Sequence, residues 1–444
     1  MMTTEEGAWP GHCGYATGRA RPWTGSGPVR GSSAVDVVIV GAGMAGIATA
    51  LALLQRGVRS IALVESEAPG AGASGRNGGF VFAGYSLAND RLIRQLGSER
   101  AACMHGWTRD SVGNIRRRID ELGIACSVND AGVVLADWFA DDQSLRNFAD
   151  RMQSELSFRL EYLEPDALKK QVNSERYGAG LFEPGSFHFN PLQHVLGLAD
   201  YLVSQGVQVH ELSPVCEIVR ASRHGEAAWL VKCERGSISA AQVVLTTGGY
   251  DRRLRPDVQR ALQPIATYIA LTEPLGERLA RYLPRPVAVY DTRFAFDYFR
   301  PLPDSRLLWG GRISIASRSP SAIRRLLARD LARVFPGLAG VRFEHAWGGW
   351  MSYARHEMPL LGQSADGLWF GLAFGGHGMA TTNLAGEVLA EALCGQRERL
   401  DAFTSWQPVW AGGGLGRAAV QGRYWCLQGL DWWREHRVSA RKKH

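Results

Sequence analysis

DVVIVGAGMAG, residues 36–46, is the stretch on which the fold turns. Val37 to Val40 form a short, fully apolar run of the kind buried in a parallel sheet. Gly41, Gly43 and Gly46 then give G-x-G-x-x-G as the chain enters the helical pattern of residues 44–56. The first glycine permits a tight turn, the second lets backbone approach a pyrophosphate, and the third lets helix and strand pack closely. Ala42, Met44 and Ala45 complete the cradle, where a helix N-terminus offers N–H groups and partial positive charge. Working outward, SIALVE (60–65) ends in Glu65, 24 residues after Gly41, with Ser66 behind it. A carboxylate there accepts hydrogen bonds from a ribose with a free 2′-OH. Strand, turn, helix, strand and acid in register predict a bound dinucleotide.

The chain of 444 residues is 45% hydrophobic, enough for a sizeable core in two interleaved domains. Lys and Arg number 50 against 43 Asp and Glu, a net +7 scattered along the chain. That excess is too diffuse for a nucleic-acid surface, while anionic small molecules or an acidic membrane are about equally accommodated. The seven cysteines (13, 103, 126, 216, 233, 394, 426) are odd in number and form no C-x-x-C pair. This argues against a disulfide framework or a zinc site, so no metal is expected, and a reducing cytoplasm fits. Residues 37–54 are 18 uncharged residues that mimic a membrane span, but their glycines place them in a strand–turn–helix. Residues 1–34 are rich in Gly, Pro, Ser and Arg, lack a secretory apolar run, and read as a flexible extension.

Further along, APGAGASGRNGGF (68–80) is a glycine-dense loop. Residues 91–125 read as helices, 131–137 as a strand and 141–172 as further helix. Strand-like runs follow at 207–212, 228–233 and 240–249, the last delivering Thr247 and Gly248 to a cofactor edge. The stretch 265–311 is β-rich and aromatic, 320–335 is helical, and 368–393 is strand, glycine-rich turn and long helix.

Taken in order, GAGMAG, GASGRNGG, TTGG, DYFRPLPDSRLLWGG, EMPLLG and GGHGMATTNLAG resemble the D-amino-acid oxidase superfamily of FAD enzymes, over roughly residues 10–435. Within it the likeness is nearest to γ-glutamylputrescine oxidases and related amine oxidases. The resemblance implies an α/β fold, α+β overall, with a discontinuous Rossmann-like FAD-binding domain (35–90, 185–250 and 352–400). An interleaved antiparallel-sheet substrate domain would take 91–184 and 251–351, leaving a basic, aromatic tail at 401–444. It implies FAD, and the lack of a cysteine in 345–379 and of a histidine between Ser66 and Gly84 predicts that the flavin is held without a covalent bond. By that likeness Ser74, Arg76, Asn77, Gly78 and Gly79 line the isoalloxazine and Val215 meets adenine. Gly375, Gly376, His377, Gly378 and Met379 lead a helix toward the ring's pyrimidine side, where reduction places negative charge. His377 has a plainer reading as a polar turn residue.

The substrate side would come from Phe296, Tyr298, Arg300, Trp347 and Trp350. Positions 294, 296 and 298 alternate, and core packing is the plain reading for Phe294 and Phe296; Tyr298 matches a family position facing the flavin. Arg300 either binds a substrate carboxylate bidentately or pairs with Asp304. The implied chemistry is oxidation of a C–N bond in a small amine or amino acid, with oxygen or a membrane quinone as acceptor. The chain has five lysines (169, 170, 232, 442, 443), and WGGRISIA offers Arg312 where sarcosine-oxidase relatives use lysine toward oxygen. The tail either docks on the protein's own body or lies on an acidic membrane. A missing second G-x-G-x-x-G argues against disulfide reductases. An RNA-binding or RNA-modifying flavoprotein is the alternative of another class.

Overall fold

A computed structural model describes residues 13–16, 23–223, 226–251 and 253–441. The opening motif forms the centre of an eight-stranded sheet. Strand Gly31–Val40 pairs in parallel with Gly236–Leu245 on one side and Ile61–Val64 on the other. Gln208–His210 continues the parallel order past Ile61–Val64, and Trp369–Leu372 continues it past Gly236–Leu245. Leu360–Gln363 closes that edge antiparallel. Val38, Ile39, Leu63 and Val244 are fully buried, each contributing about 1.5–3 kcal/mol of apolar burial.

The apolar run 37–54 thus has its uniform hydrophobicity for a reason other than lipid. Its strand is central in the sheet, and helix Met44–Gln55 is packed between that sheet and helix Gly378–Leu393. Gly386 permits the helix approach, since a Cβ there would stand 2.5 Å from the Ala48 backbone. No described helix is long and apolar enough to cross a membrane.

A second eight-stranded sheet runs Phe343–Tyr353, Gln263–Thr272, Leu307–Ser314, Tyr298–Pro301, Ala288–Asp291, Val133–Ala136, Gly180–Glu183 and Glu161–Leu163. It is antiparallel except where Ala288–Asp291 meets Val133–Ala136. The chain passes repeatedly between the two sheets, so the mixed α/β architecture with a Rossmann-like half stands as expected.

Several local expectations change. The helix expected over 141–172 ends at Leu156, where Ser157 turns left-handed at φ 51°; strand Glu161–Leu163 and the short helix Pro165–Lys169 follow. Strand Val215–Arg223 forms a hairpin with Glu226–Cys233, although it carries little apolar alternation. Within the β-rich stretch 265–311 the alternating positions 294 and 296 precede the strand, which begins only at Tyr298, after Arg293 is bound by the buried carboxylates of Asp291 and Asp297. Within the first 34 residues, expected to be a flexible extension, Cys13, Tyr15, Trp23 and Val29 are buried, and Gly31 to Ala34 begin the central strand with exposed side chains. The rest of that segment, 1–12 and 17–22, lies outside the described residues. The tail forms one long helix, Gly413–Arg441, seated on the second sheet's side of the molecule.

Candidate functional site

A cavity of 2310 Å³ runs from the glycine turn to the second sheet. At one end Gly41 and Gly46 are required, and Gly43 leaves room beside Ser74. Gly41 has φ +106°, and a Cβ there would lie 2.9 Å from the Thr246 carbonyl. A Cβ on Gly46 would stand 2.0 Å from the Gly41 carbonyl, and one on Gly43 would come 3.0 Å from Ser74 Oγ. Gly41, Gly43, Met44 and Ala45 line the cavity, whereas Ala42 and Gly46 lie behind it. The Ala42 N–H donates to Glu65 (2.9 Å), whose other oxygen accepts from Ser66 Oγ and the Glu67 N–H. Glu65, Ser66, Val215, Thr247 and Gly248 form the adjoining wall. An extended, backbone-lined trough of this shape fits a dinucleotide.

The loop after the first βαβ unit is held from several sides. Asn77 points inward to its own backbone, donating to Ala73 and Ser74 and accepting from the Gly79 N–H. Its carbonyl accepts from Tyr15 Oη at 2.8 Å, and Trp347 Nε1 donates to the Arg76 carbonyl at 3.0 Å. Ser74 Oγ accepts from the Met44 N–H at 2.8 Å, tying this loop to the first helix. Gly79 has φ +77° and lies against Phe189, off the cavity surface.

Arg300 does neither of the things expected of it. It is 2% exposed and does not line the cavity. Its Nε donates to the Gly78 carbonyl, and Nη2 donates to the Phe189 carbonyl and Tyr15 Oη. Asp304 pairs instead with Arg306. Trp347 lines the cavity and also braces the loop, edge-on to Tyr15.

The substrate end is aromatic. Tyr298 lies between two glycines: a Cβ on Gly78 would meet its ring at 2.7 Å and one on Gly310 at 2.1 Å. Its ring stands edge-on to Phe80 and Phe296, and burial pushes its hydroxyl well above the ordinary range. Phe294 and Phe296 are not core residues; both line the cavity, and Phe296 is exposed. Trp350 lines it too. Phe82 stacks on Tyr290 and stands edge-on to His377, which burial pushes down to about 4. His377 is therefore neutral near pH 7 and sits as the residue before helix Gly378–Leu393. Ser86 Oγ accepts from the Gly376 and His377 N–H groups and fixes this turn, whose Gly375, Gly376, Gly378 and Met379 face the cavity.

Phe80, Phe82, Ser86, Tyr290, Tyr353 and Tyr424 also line the cavity, though no sequence motif marks them as site residues. The spacing of Phe80 and Phe82 after GRNGG was the available signal; Tyr424 arrives from the tail, which no local pattern connects to the cavity. No lysine among the described residues lines the cavity. Arg312 does, with φ +60°, but is paired with the buried Asp330. Arg318 and Arg324 make the neighbouring wall basic.

Comparison with known proteins agrees with this geometry. The family model DAO, FAD dependent oxidoreductase, matches residues 36–392. The chain is 32% identical over 375 residues to the gamma-glutamylputrescine oxidoreductase of Escherichia coli strain K12, covering 83% of this chain and 86% of that one. It is 30% identical over 381 residues to a probable oxidoreductase, OrdL, of Haemophilus influenzae, with 83% and 85% covered. Among solved structures, glycine oxidase from Geobacillus kaustophilus superposes with a TM-score of 0.70 at 18% identity, over 85% of this chain and 99% of that one. L-proline dehydrogenase from P. horikoshii gives 0.69 at 17% identity, over 85% and 96%. The cradle, the braced loop and the match across most of the chain identify it as a member of the DAO family of FAD-dependent oxidoreductases.

Proposed function

We propose that the protein oxidises a C–N bond in a small amine or amino acid, with oxygen as the final acceptor. FAD, when bound, supplies the acceptor for a hydride from the carbon bearing nitrogen, leaving an imine that water hydrolyses to a carbonyl product. The observation that carries this reading is Tyr298, wedged between Gly78 of the cofactor loop and Gly310 of the second sheet. It joins the aromatic wall directly to the cofactor end. The gamma-glutamylputrescine oxidoreductase relative supports an amine as substrate.

Ring faces of Tyr298, Phe296 and Tyr290 attract an incoming ammonium, and the same apolar surroundings then favour its neutral form, whose lone pair is free. His377, already neutral, adds no competing charge. Ser74, Arg76, Asn77 and Gly78 would present the cofactor loop, and Glu65 the ribose end. Arg318 and Arg324 give the cavity a basic wall suited to a carboxylate elsewhere on the substrate. An odd number of cysteines with no C-x-x-C pair supports a cytoplasmic setting.

A second acceptor, a membrane quinone, is favoured by one observation: no described lysine reaches the cavity to assist oxygen. Anaerobic bleaching of the flavin against polyamines, N-methyl amines and D- and L-amino acids tests the substrate class. Rapid mixing of the reduced enzyme with oxygen then separates the acceptors. Reduction by no amine, or strongly salt-dependent RNA binding, would overturn the reading.

A further inference from the structure

The C-terminal helix Gly413–Arg441 has two unlike faces. The inner face is held by polar contacts. Arg417 donates to the Ile315 carbonyl (2.7 Å), Gln421 accepts from the Ile315 N–H (3.2 Å), and Asp431 accepts from the Phe294 N–H (2.8 Å). Glu435 pairs with Arg176 and Arg333, and the Tyr424 ring packs on Phe294. Docking on the body is therefore real, but it uses only half of the helix.

On the opposite side Leu415, Trp425, Leu430, Trp432 and Trp433 are 84, 68, 50, 60 and 50% exposed. They share one face at helical periodicity, over an apolar length of roughly 27 Å. Ala418, Gly422, Cys426 and Gly429 fill the face between them. Both acidic residues of the helix, Asp431 and Glu435, turn inward. Arg423 and Arg434 edge the outer face while bridging Glu357 and Asp141, and Arg437 lies over the Trp433 ring. Arg441, Lys442 and Lys443 follow in sequence.

An apolar patch this continuous marks an interaction surface. A second copy meeting it face to face would set these arginines against their own equivalents; Glu357 and Asp141 engage Arg423 and Arg434, but the helix offers no outward carboxylate to Arg437. An anionic bilayer satisfies both features at once: indole rings suit the headgroup boundary, and arginines suit lipid phosphates. We propose that the outer face of the C-terminal helix docks the protein on an anionic lipid surface. Trp410 and Leu415, both exposed, also line the cavity, so docking sets the cavity mouth at the membrane. The inference does not depend on the substrate reading.

The test is flotation of the FAD-loaded protein with vesicles of phosphatidylcholine alone and of phosphatidylcholine mixed with phosphatidylglycerol. The protein should float with the mixed vesicles, less so in high salt. Trp425→Ser/Trp432→Ser/Trp433→Ser should lower the bound fraction roughly tenfold, with flavin content and turnover unchanged. Equal flotation of wild type and variant, or no flotation of either, overturns the proposal. So does a light-scattering dimer abolished by the triple variant without lipid, which would make a second copy the occupant, or retention on RNA in place of vesicles.

Discussion

Arg300 Nε donates to the Gly78 carbonyl at 2.5 Å, so a buried guanidinium from the substrate sheet holds the cofactor loop in place. The same side chain reaches the Phe189 carbonyl at 2.8 Å and Tyr15 Oη at 3.1 Å, and Tyr15 in turn holds Asn77. An ammonium cannot span this fork. Arg300→Lys should therefore cost about 3 kcal/mol of stability and lower the fraction of protein that retains flavin. Thermal melts and the flavin-to-protein absorbance ratio check this. A raised KM for acidic amines, with melting and flavin content unchanged, would restore Arg300 as a substrate ligand.

Gly310 faces Tyr298 in register across neighbouring strands, and the phenol ring occupies the space a side chain would take. Gly310→Ala should push the ring into the cavity and slow flavin reduction by roughly tenfold or more. Tyr298→Phe, which keeps the ring and loses only the hydroxyl, should cost far less. If the two variants were equally slow, the hydroxyl and not the ring's placement would matter.

The cofactor half was readable because its constraints are local. Gly41, Gly43, Gly46 and Glu65 lie within 25 residues; Gly41 and Gly46 are needed by close backbone, and Glu65 holds the turn through the Ala42 N–H. The substrate half was not, because its contacts are made across the fold. Arg300 sits in a motif that invites a substrate role, yet its partners are Gly78, Phe189 and Tyr15, from more than 100 residues away. Phe294 and Phe296 alternate as core residues do, but the Asp291–Arg293–Asp297 cluster turns their segment toward the cavity. Tyr15 belongs to a stretch whose composition reads as loose chain; the partners it finds in Asn77, Arg300 and Trp347 give it a place.

The pH dependence of flavin reduction should report the substrate's nitrogen. His377 is depressed to about 4 by burial, so it stays neutral from weakly acidic to alkaline pH. The rate should rise with pH until the bound amine has lost its proton, then level off. Stopped-flow reduction across that range is the measurement. A flat profile would mean that the donor is not an amine.

Three buried histidines and the half-buried His377 set the acid limit of the fold. Burial, reinforced by nearby arginines for three of them, lowers His105 and His377 to about 4 and His188 and His194 to about 3. The unfolded chain takes up these protons near pH 6.5, so their contribution is complete above that value and is lost as pH falls toward 3. Half-buried Glu183, raised to about 7 by loss of hydration, acts in the opposite sense between its unfolded 4.5 and 7. Four histidines outweigh one glutamate over that range, so stability should already fall below about pH 6.5 and keep falling toward pH 3. His194→Gln should flatten the low-pH limb of melting temperature against pH; an unchanged limb would show that His194 is not among its causes.

The flavin should be held without a covalent bond. Residues 345–379 contain no cysteine, and no histidine lies between Ser66 and Gly84. Among the described residues, the cysteine lining the cavity is Cys216, beside Val215 at the Glu65 end and away from the aromatic wall. His345 and His377 also line it. The first lies in strand Phe343–Tyr353 between Glu344 and Ala346, and the second is packed edge-on against Phe82. Neither is placed in the 73–79 loop that would carry the ring's polar edge. Acid precipitation should therefore leave a colourless pellet and a yellow supernatant containing FAD. Flavin fluorescence that stays with the denatured chain would show a tether, and peptide mass spectrometry would then distinguish His345, His377 and Cys216.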